Sequence, residues 1–421
     1  MSRVVIIGAG ITGITTAYTL AKRGYAVTVI DKHRDAAMET SFANGGQLSA
    51  SNAEVWNNTA TVAKGLRWLG KRNAPLLFNP AFSWHKYGWI AAFVRNIPNH
   101  QANTIETTRL AIEARQYLYD MAEKEQIQFD LEKRGILHIY YDRDSFDKAV
   151  KTNALLQAGG LERYAVTREE AKAIEPALTQ DFFAGLYTPS DATGDIHKFT
   201  SGLAAACRRL GGRFEMDASV TAISTAGQQH RIALARYAHA EPGVIEADQI
   251  VVCAGTGSHA IARMLGDRMN VYPVKGYSIS VHLDDADSLA ATPRVSLLDE
   301  DAKIVTSFLG DRFRVAGTAE FNGYNKDIRA DRVQPLVDWT RRLFPDISTR
   351  RVVPWCGLRP MMPDMMPRVC RGRKAGVFYN TGHGHLGWTL SAITAQRLAR
   401  LLEESSQRST LQKSSSQSAV A

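Results

Sequence analysis

The chain has 421 residues, 45% of them hydrophobic and 22% charged, a balance that fits a soluble globular protein and excludes a fibrous or disordered one. That length predicts two domains, and no run approaches the roughly 20 apolar residues of a membrane span. A net charge of +9 is compatible with an anionic substrate, anionic lipid or nucleic acid, and equally with an ordinary solvated surface.

The amino-terminal stretch carries the strongest pattern. Arg3-Val4-Val5-Ile6-Ile7 reads as a buried parallel strand, and Gly8-Ala9-Gly10-Ile11-Thr12-Gly13 follows it without a gap. Residues 14–23 then have a helical pattern closed by Gly24, and residues 25–30 form a second apolar strand ending on Asp31. This order predicts a dinucleotide site. Gly8 permits the tight turn, Gly10 lets backbone N–H groups approach a pyrophosphate, and Gly13 lets helix and strand pack closely. Asp31 would accept hydrogen bonds from a ribose diol. The strand begins at Arg3, so no secretory signal is expected.

Residues 53–103 change character, with Trp56, Trp68, Trp84 and Trp89 among asparagines and prolines, and read as an insertion of short helices and loops. The aromatic segment 84–94 suits either contact with an anionic membrane or burial as a helix, and burial is the expectation. A helix is predicted over 104–126, a strand over 135–141 and a helix near 145–159. Thr167-Arg-Glu-Glu170 has the form of a capping box. Thr193-Gly194-Asp195 opens a further helix that ends at Gly211-Gly212. A strand follows at 219–223, and another at 249–254 runs into Gly255. Alternation from 271 to 317 suggests a mixed sheet with hairpins.

Beginning, middle and end thus hold parts of one nucleotide-binding unit. The predicted fold is α/β with two interleaved domains. Residues 1–50, 191–265 and 353–405 form the nucleotide-binding domain, 51–190 and 266–352 a substrate domain with a mixed, largely antiparallel sheet, and 406–421 a structureless tail. The four cysteines (Cys207, Cys253, Cys356, Cys370) lack metal-site or disulfide spacing, so no metal is expected and a cytoplasmic, reducing setting is.

Several later segments carry chemistry. Glu39-Thr-Ser41-Phe-Ala-Asn44-Gly45-Gly46-Gln47-Leu48 is a small polar loop that can approach a flat polar ligand closely. Val271-Tyr-Pro-Val-Lys-Gly-Tyr277-Ser278, Leu297-Leu-Asp-Glu300, Gly357-Leu-Arg359-Pro360 and the run from Thr381 to Thr389 follow in order. At these residues the chain resembles the amino-acid-oxidising flavoprotein family that includes D-amino acid oxidase, glycine oxidase and sarcosine oxidase. Within that family it is most similar to the bacterial quinone-dependent dehydrogenases of D-amino acids.

The resemblance implies non-covalent FAD. Gly8, Ala9, Gly10, Ile11, Thr12, Gly13 and Asp31 would hold its ADP half, with Val220 meeting the adenine side and Gly255 also bordering the cofactor. Ser41, Asn44, Gly45, Gly46, Gln47 and Leu48 would line the flavin. Gly382, His383, Gly384, Leu386, Gly387, Trp388 and Thr389 would place a helix start at its pyrimidine edge. Arg359 would grip the substrate carboxylate, and Tyr277 would border the substrate.

The implied reaction is oxidation of a D-amino acid to a 2-oxo acid and ammonia, by hydride transfer from Cα to flavin N5. Electrons would pass to a quinone or respiratory acceptor, with peripheral contact to the inner membrane and no nucleic acid. An oxygen-using enzyme, one specific for D-proline or hydroxyproline, and a flavoprotein without turnover are the alternatives. Two departures from the family pattern stand out. His385 replaces a small hydroxyl residue, and Met365-Met366-Pro367-Arg368 replaces a Gly-containing turn expected near the flavin. Cys356 is out of register for covalent flavin attachment.

Overall fold

A computed structural model describes residues 2–68, 76–227, 229–236 and 243–418. The strands gather chiefly into two large sheets. The first has six strands in the order Arg368–Arg371, Val377–Thr381, Gln249–Val252, Arg3–Ile7, Ala26–Ile30 and Arg213–Glu215. All are parallel except the edge strand Arg368–Arg371. Its centre therefore comes from three distant parts of the chain.

The unbroken apolar run Val4 to Ile7 follows from burial on both faces. Val4 and Ile6 pack under the helices Ile11–Lys22, Ile196–Arg209 and Gly387–Ser418, while Val5 and Ile7 face the three-stranded sheet of Ala218–Ala226, Gln229–Arg236 and Gly243–Ala247. Gly24, at φ +82°, ends the first helix as its position predicts.

The second sheet has nine strands. From one edge run Val352–Met361, Tyr272–His282, Arg312–Phe321, Ile304–Leu309 and Ser296–Asp299, then Ile136–Tyr140, Ala184–Thr188 and Tyr164–Thr167, with Leu76–Phe78 beside Arg312–Phe321. Most neighbours are antiparallel, and the helix Ala330–Leu343 packs behind it through Leu336 and Trp339. The interleaved α/β architecture is as expected, and the capping box at Thr167 and Glu170 is formed.

Three expectations are corrected. The segment from 353 does not begin in the nucleotide-binding unit: Val352–Met361 pairs with Tyr272–His282 from Val352 to Met361, so the substrate sheet claims it. The helix His100–Lys124, inside the segment assigned to the substrate domain, packs through Leu118 and Met121 into the core of the other unit. The last helix continues from Gly387 to Ser418, past the point where a structureless tail was predicted. Once Leu398 and Leu402 are packed, extending a helix adds one hydrogen bond per residue without a new nucleus. Residues 419–421 of that expected tail lie outside the described residues. No helix among the described residues is long and apolar enough to cross a membrane.

Candidate active site

A cavity of about 1460 Å³ runs between the two sheets, larger than a typical single-ligand pocket and suited to an extended cofactor plus a substrate. One end is the glycine turn. Gly8 has φ +113°, and a Cβ on Gly13 would lie 1.8 Å from the Gly8 carbonyl oxygen, so only glycine allows this approach of helix to turn. The helix Ile11–Lys22 has no acidic residue in its first turn, and its early N–H groups have no intrahelical acceptor. Its positive end faces the cavity through Gly10, Ile11 and Thr12. Asp31 accepts from the backbone N–H of Ala9 (2.7 Å) and of His33 (2.9 Å). Each carboxylate oxygen keeps a second lone pair for a ribose hydroxyl. Val220 reaches the same wall at a bulge, where the strand register slips between Val220 and Ala222, and Gly255 lies beside it.

The middle of the cavity is formed by the polar loop and the last helix. Asn44, Gly45 and Gln47 line it, as do Gly382, His383, Gly384, Leu386, Gly387, Trp388 and Thr389. Thr389 Oγ1 accepts from the Ser49 N–H at 3.1 Å, which ties the loop to the start of that helix. His383 is buried against Thr394, 2.9 Å from its Nε2, and burial pushes it down to about 3, so it is neutral. His385 donates from Nε2 to the Asn52 carbonyl at 2.9 Å and stacks on Trp56. Burial, aided by the Arg359 charge, lowers it to about 4.

At the far end Arg359 faces the cavity from the strand Val352–Met361. Its Nη1 donates to the Thr318 carbonyl at 3.2 Å, and among the described residues no carboxylate pairs with it. Burial lowers it to about 10, which leaves it a cation at neutral pH. A guanidinium held there has the geometry and charge to take a carboxylate on its remaining donors.

Other predicted residues sit differently. Tyr277 borders the cavity, but its hydroxyl donates to Glu320 at 2.8 Å and its ring packs in the substrate-sheet core with Ile279 and Phe313. Burial and Glu320 raise its pKa far above the usual range, so it stays protonated at neutral pH. Alternation along the strand aims position 277 away from the face that carries Arg359. Ser41 caps the first helix, accepting from the Ile11 N–H at 3.0 Å, and so shapes the pyrophosphate end. Ala9, Gly13, Gly46 and Leu48 do not line the cavity: Leu48 is buried in the nucleotide-unit core, and Gly46 packs against Ser307. Met365, Met366 and Arg368 do not line it either. Met365 packs with Trp89 and Tyr272, and Arg368 pairs with Asp364 at 2.6 Å. Cys356 lies off the cavity, with its thiol on the Lys326 carbonyl.

Three supporting residues escape a sequence reading. Gly276 leaves the space that the Arg359 guanidinium fills. Asp191 accepts from the Ala50 and Ser51 N–H groups and pairs with Arg115 at 2.7 Å, fixing the end of the polar loop that lines the cavity. Arg314 is buried, donates to the carbonyls of Ala43 and Asn44 and to Ser278 and Ser280, and is lowered to about 9 by burial. Only Gly276 lies in a motif that the sequence singles out. Asp191 and Arg314 resemble any other surface charge until the fold surrounds them.

The family model for FAD dependent oxidoreductases (DAO) matches residues 3–401. The chain belongs to this family. This family member is 59% identical to D-amino acid dehydrogenase 3 of Mesorhizobium japonicum, over 96% of this chain and 97% of that one. It is 40% identical to D-amino acid dehydrogenase of Dechloromonas aromatica, over 95% and 96% of the two chains. Among solved structures, glycine oxidase from Geobacillus kaustophilus superposes with a TM-score of 0.74 at 20% identity, covering 96% of this chain and 95% of that one, which speaks to the fold. The glycine turn, the open helix start and the long cavity fit FAD, the cofactor of the family.

Proposed function

We propose that this flavoprotein oxidises D-amino acids to 2-oxo acids and ammonia and passes the electrons to a quinone. The single observation that carries the reading is Arg359, a guanidinium with no carboxylate partner among the described residues, lining the same cavity as the glycine turn. The D configuration is supported by the names of relatives 59% and 40% identical over nearly the whole chain. The balance is D-amino acid, water and quinone giving 2-oxo acid, ammonia and quinol.

FAD supplies the hydride acceptor. The chain's own residues bind and orient. Arg359 would take the α-carboxylate in a two-point grip, which fixes the Cα–H direction relative to the ring plane. The helix start at Gly387, which lines the cavity, would favour negative charge on the reduced cofactor. An amine bound in its neutral form needs no enzymic base for the hydride step. Membrane association follows from the acceptor, since a lipophilic quinone is met at a bilayer.

The test is anaerobic bleaching of the purified yellow protein by a panel of D- and L-amino acids, followed by mixing with oxygen or a quinone analogue. Bleaching by D-amino acids with fast reoxidation by quinone is expected. Reoxidation only by oxygen would replace dehydrogenase by oxidase, and no bleaching would remove the reading.

A further inference from the structure

The helix Trp84–Arg95 is apolar on both faces, and only one of them is covered. Trp89 on the inner face is 3% exposed, donates from Nε1 to the Met361 carbonyl at 2.9 Å and stacks on Phe93. On the outer face Trp84, Tyr87, Gly88, Ala91 and Val94 are all exposed, at the three- and four-residue spacing of one helical stripe. Trp84 is 83% exposed. Just ahead of the helix Phe82 is 67% exposed, edge-on to Trp84 at 4.9 Å and stacked on Tyr87 at 5.6 Å. Lys86 holds this ledge in place, bonding the carbonyls of Asn79 and Ala81 while its ammonium lies 4.9 Å from the Phe78 ring centre. A folded monomer rarely leaves such an aromatic group to water without a use for it.

Charge says what covers it. From Val55 to Ile105 the sequence has no Asp or Glu and six Lys or Arg: Lys64, Arg67, Lys71, Arg72, Lys86 and Arg95. Lys64, Arg67 and Arg95 are exposed. A second copy of the chain meeting this face about a two-fold axis would set like charges against each other. Exposed aromatic side chains on a segment with exposed cations and no carboxylate of its own are what an anionic lipid surface accepts, rings at the headgroup level and cations on the phosphates.

The ledge also adjoins the cavity. Leu76 lines the cavity and Phe78, two residues on, packs against Tyr87. Their strand pairs with Ala319–Glu320–Phe321, next to the Thr318 carbonyl that accepts from Arg359. Exposed Lys64 and Arg67 line the cavity as well, so it opens to the surface within the same basic segment.

We propose that Phe82, Trp84, Tyr87 and Val94 form a docking ledge that seats this protein on an anionic lipid bilayer beside the mouth of its cavity. The use of the ledge to meet a lipid-soluble acceptor rests on the function proposed above, while the docking does not. The FAD-loaded full chain is sedimented with vesicles of phosphatidylglycerol mixed with phosphatidylcholine, and with vesicles of phosphatidylcholine alone. Salt-sensitive binding to the anionic vesicles is expected. The F82S/W84S double variant removes two large apolar side chains from the bilayer contact and should weaken binding by about tenfold or more. Its flavin spectrum and its turnover with a water-soluble dye acceptor should match the wild type, because neither residue is in the site.

No sedimentation of the wild type, or equal binding of the double variant, would overturn the proposal. So would a concentration-dependent dimer that the double variant abolishes, which would give the ledge to a second copy. Sedimentation is read without turnover, so an inactive enzyme that still binds would fail the functional reading and leave this one standing.

Discussion

The Arg359 guanidinium occupies the space that a side chain at position 276 would need: a Cβ on Gly276 would lie 2.5 Å from Arg359 Nη2. The displaced atoms are the far end of a flexible side chain, so Gly276→Ala should fold normally and push the guanidinium off its position. A misplacement of this kind lowers kcat/KM by roughly tenfold to a hundredfold. Steady-state kinetics at constant flavin content checks it, and unchanged kinetics would show that the fork position does not matter.

Arg359→Leu removes the group proposed to take the substrate carboxylate. Losing one partner of a buried charge pair costs about 2–5 kcal/mol, so KM should rise on the order of a hundredfold or more while FAD stays bound. Arg359→Lys should recover only part of the loss, because an ammonium supplies charge without the fork. Anaerobic titration of the flavin absorbance with substrate measures both.

Gly13→Ala is a different kind of lesion. Its Cβ would meet the Gly8 carbonyl oxygen at 1.8 Å, and neither backbone segment can step aside without opening the pyrophosphate turn. Loss of the yellow colour on purification, with a lower melting temperature, is the expected outcome. A fully loaded, equally stable variant would contradict the geometry.

Acid should weaken the fold through histidines buried without charge. Burial holds His383 down to about 3, and burial with Arg163 nearby holds His138 down to about 4 although Glu300 lies 2.9 Å away. In the unfolded chain such groups titrate near about 6.5. Their folded pKa values are depressed, so the unfolded state binds more protons over this range. Stability is whole above about pH 6.5 and falls as pH drops toward the folded values, by up to about 1.4 kcal/mol per pH unit for each group. Thermal melts between neutrality and pH 5 should show the decline, and His383→Gln should flatten it.

Met366→Leu should leave substrate preference unchanged, since the methionine turn packs against the Trp89 region and away from the cavity. A D-amino acid panel with altered ranking would mean that the turn reaches the substrate after all.

The sequence announces the nucleotide-binding unit because its requirements are local. Gly8, Gly13 and Asp31 are set by one turn and its neighbours, and they stand where the spacing predicts. The substrate end is less legible, because its geometry is set by strands that meet from far apart. Tyr277 and Gly276 are adjacent in sequence and point to opposite faces of a sheet. Only the register against residues 352–361 decides that the glycine, not the tyrosine, serves Arg359. The departure at Met365-Met366 looks like a change in the site for the same reason: a motif gives position along the chain but not the side on which the turn falls. The Trp84 segment divides between the two expectations, with Trp89 inside and Trp84 in water.

Arg3–Ile7 lies in the middle of its sheet, flanked on one side by Gln249–Val252, which in turn needs Val377–Thr381 as its neighbour. During synthesis the first strand therefore leaves the ribosome with Ala26–Ile30 close behind it but with its other neighbour, Gln249–Val252, still far along the chain. Cofactor capture then waits until Val377–Thr381 and the cavity-lining residues up to Thr389 have been made. Until then Val4 to Ile7 lacks most of the packing that covers it in the folded molecule, and such exposed apolar strands favour association between chains.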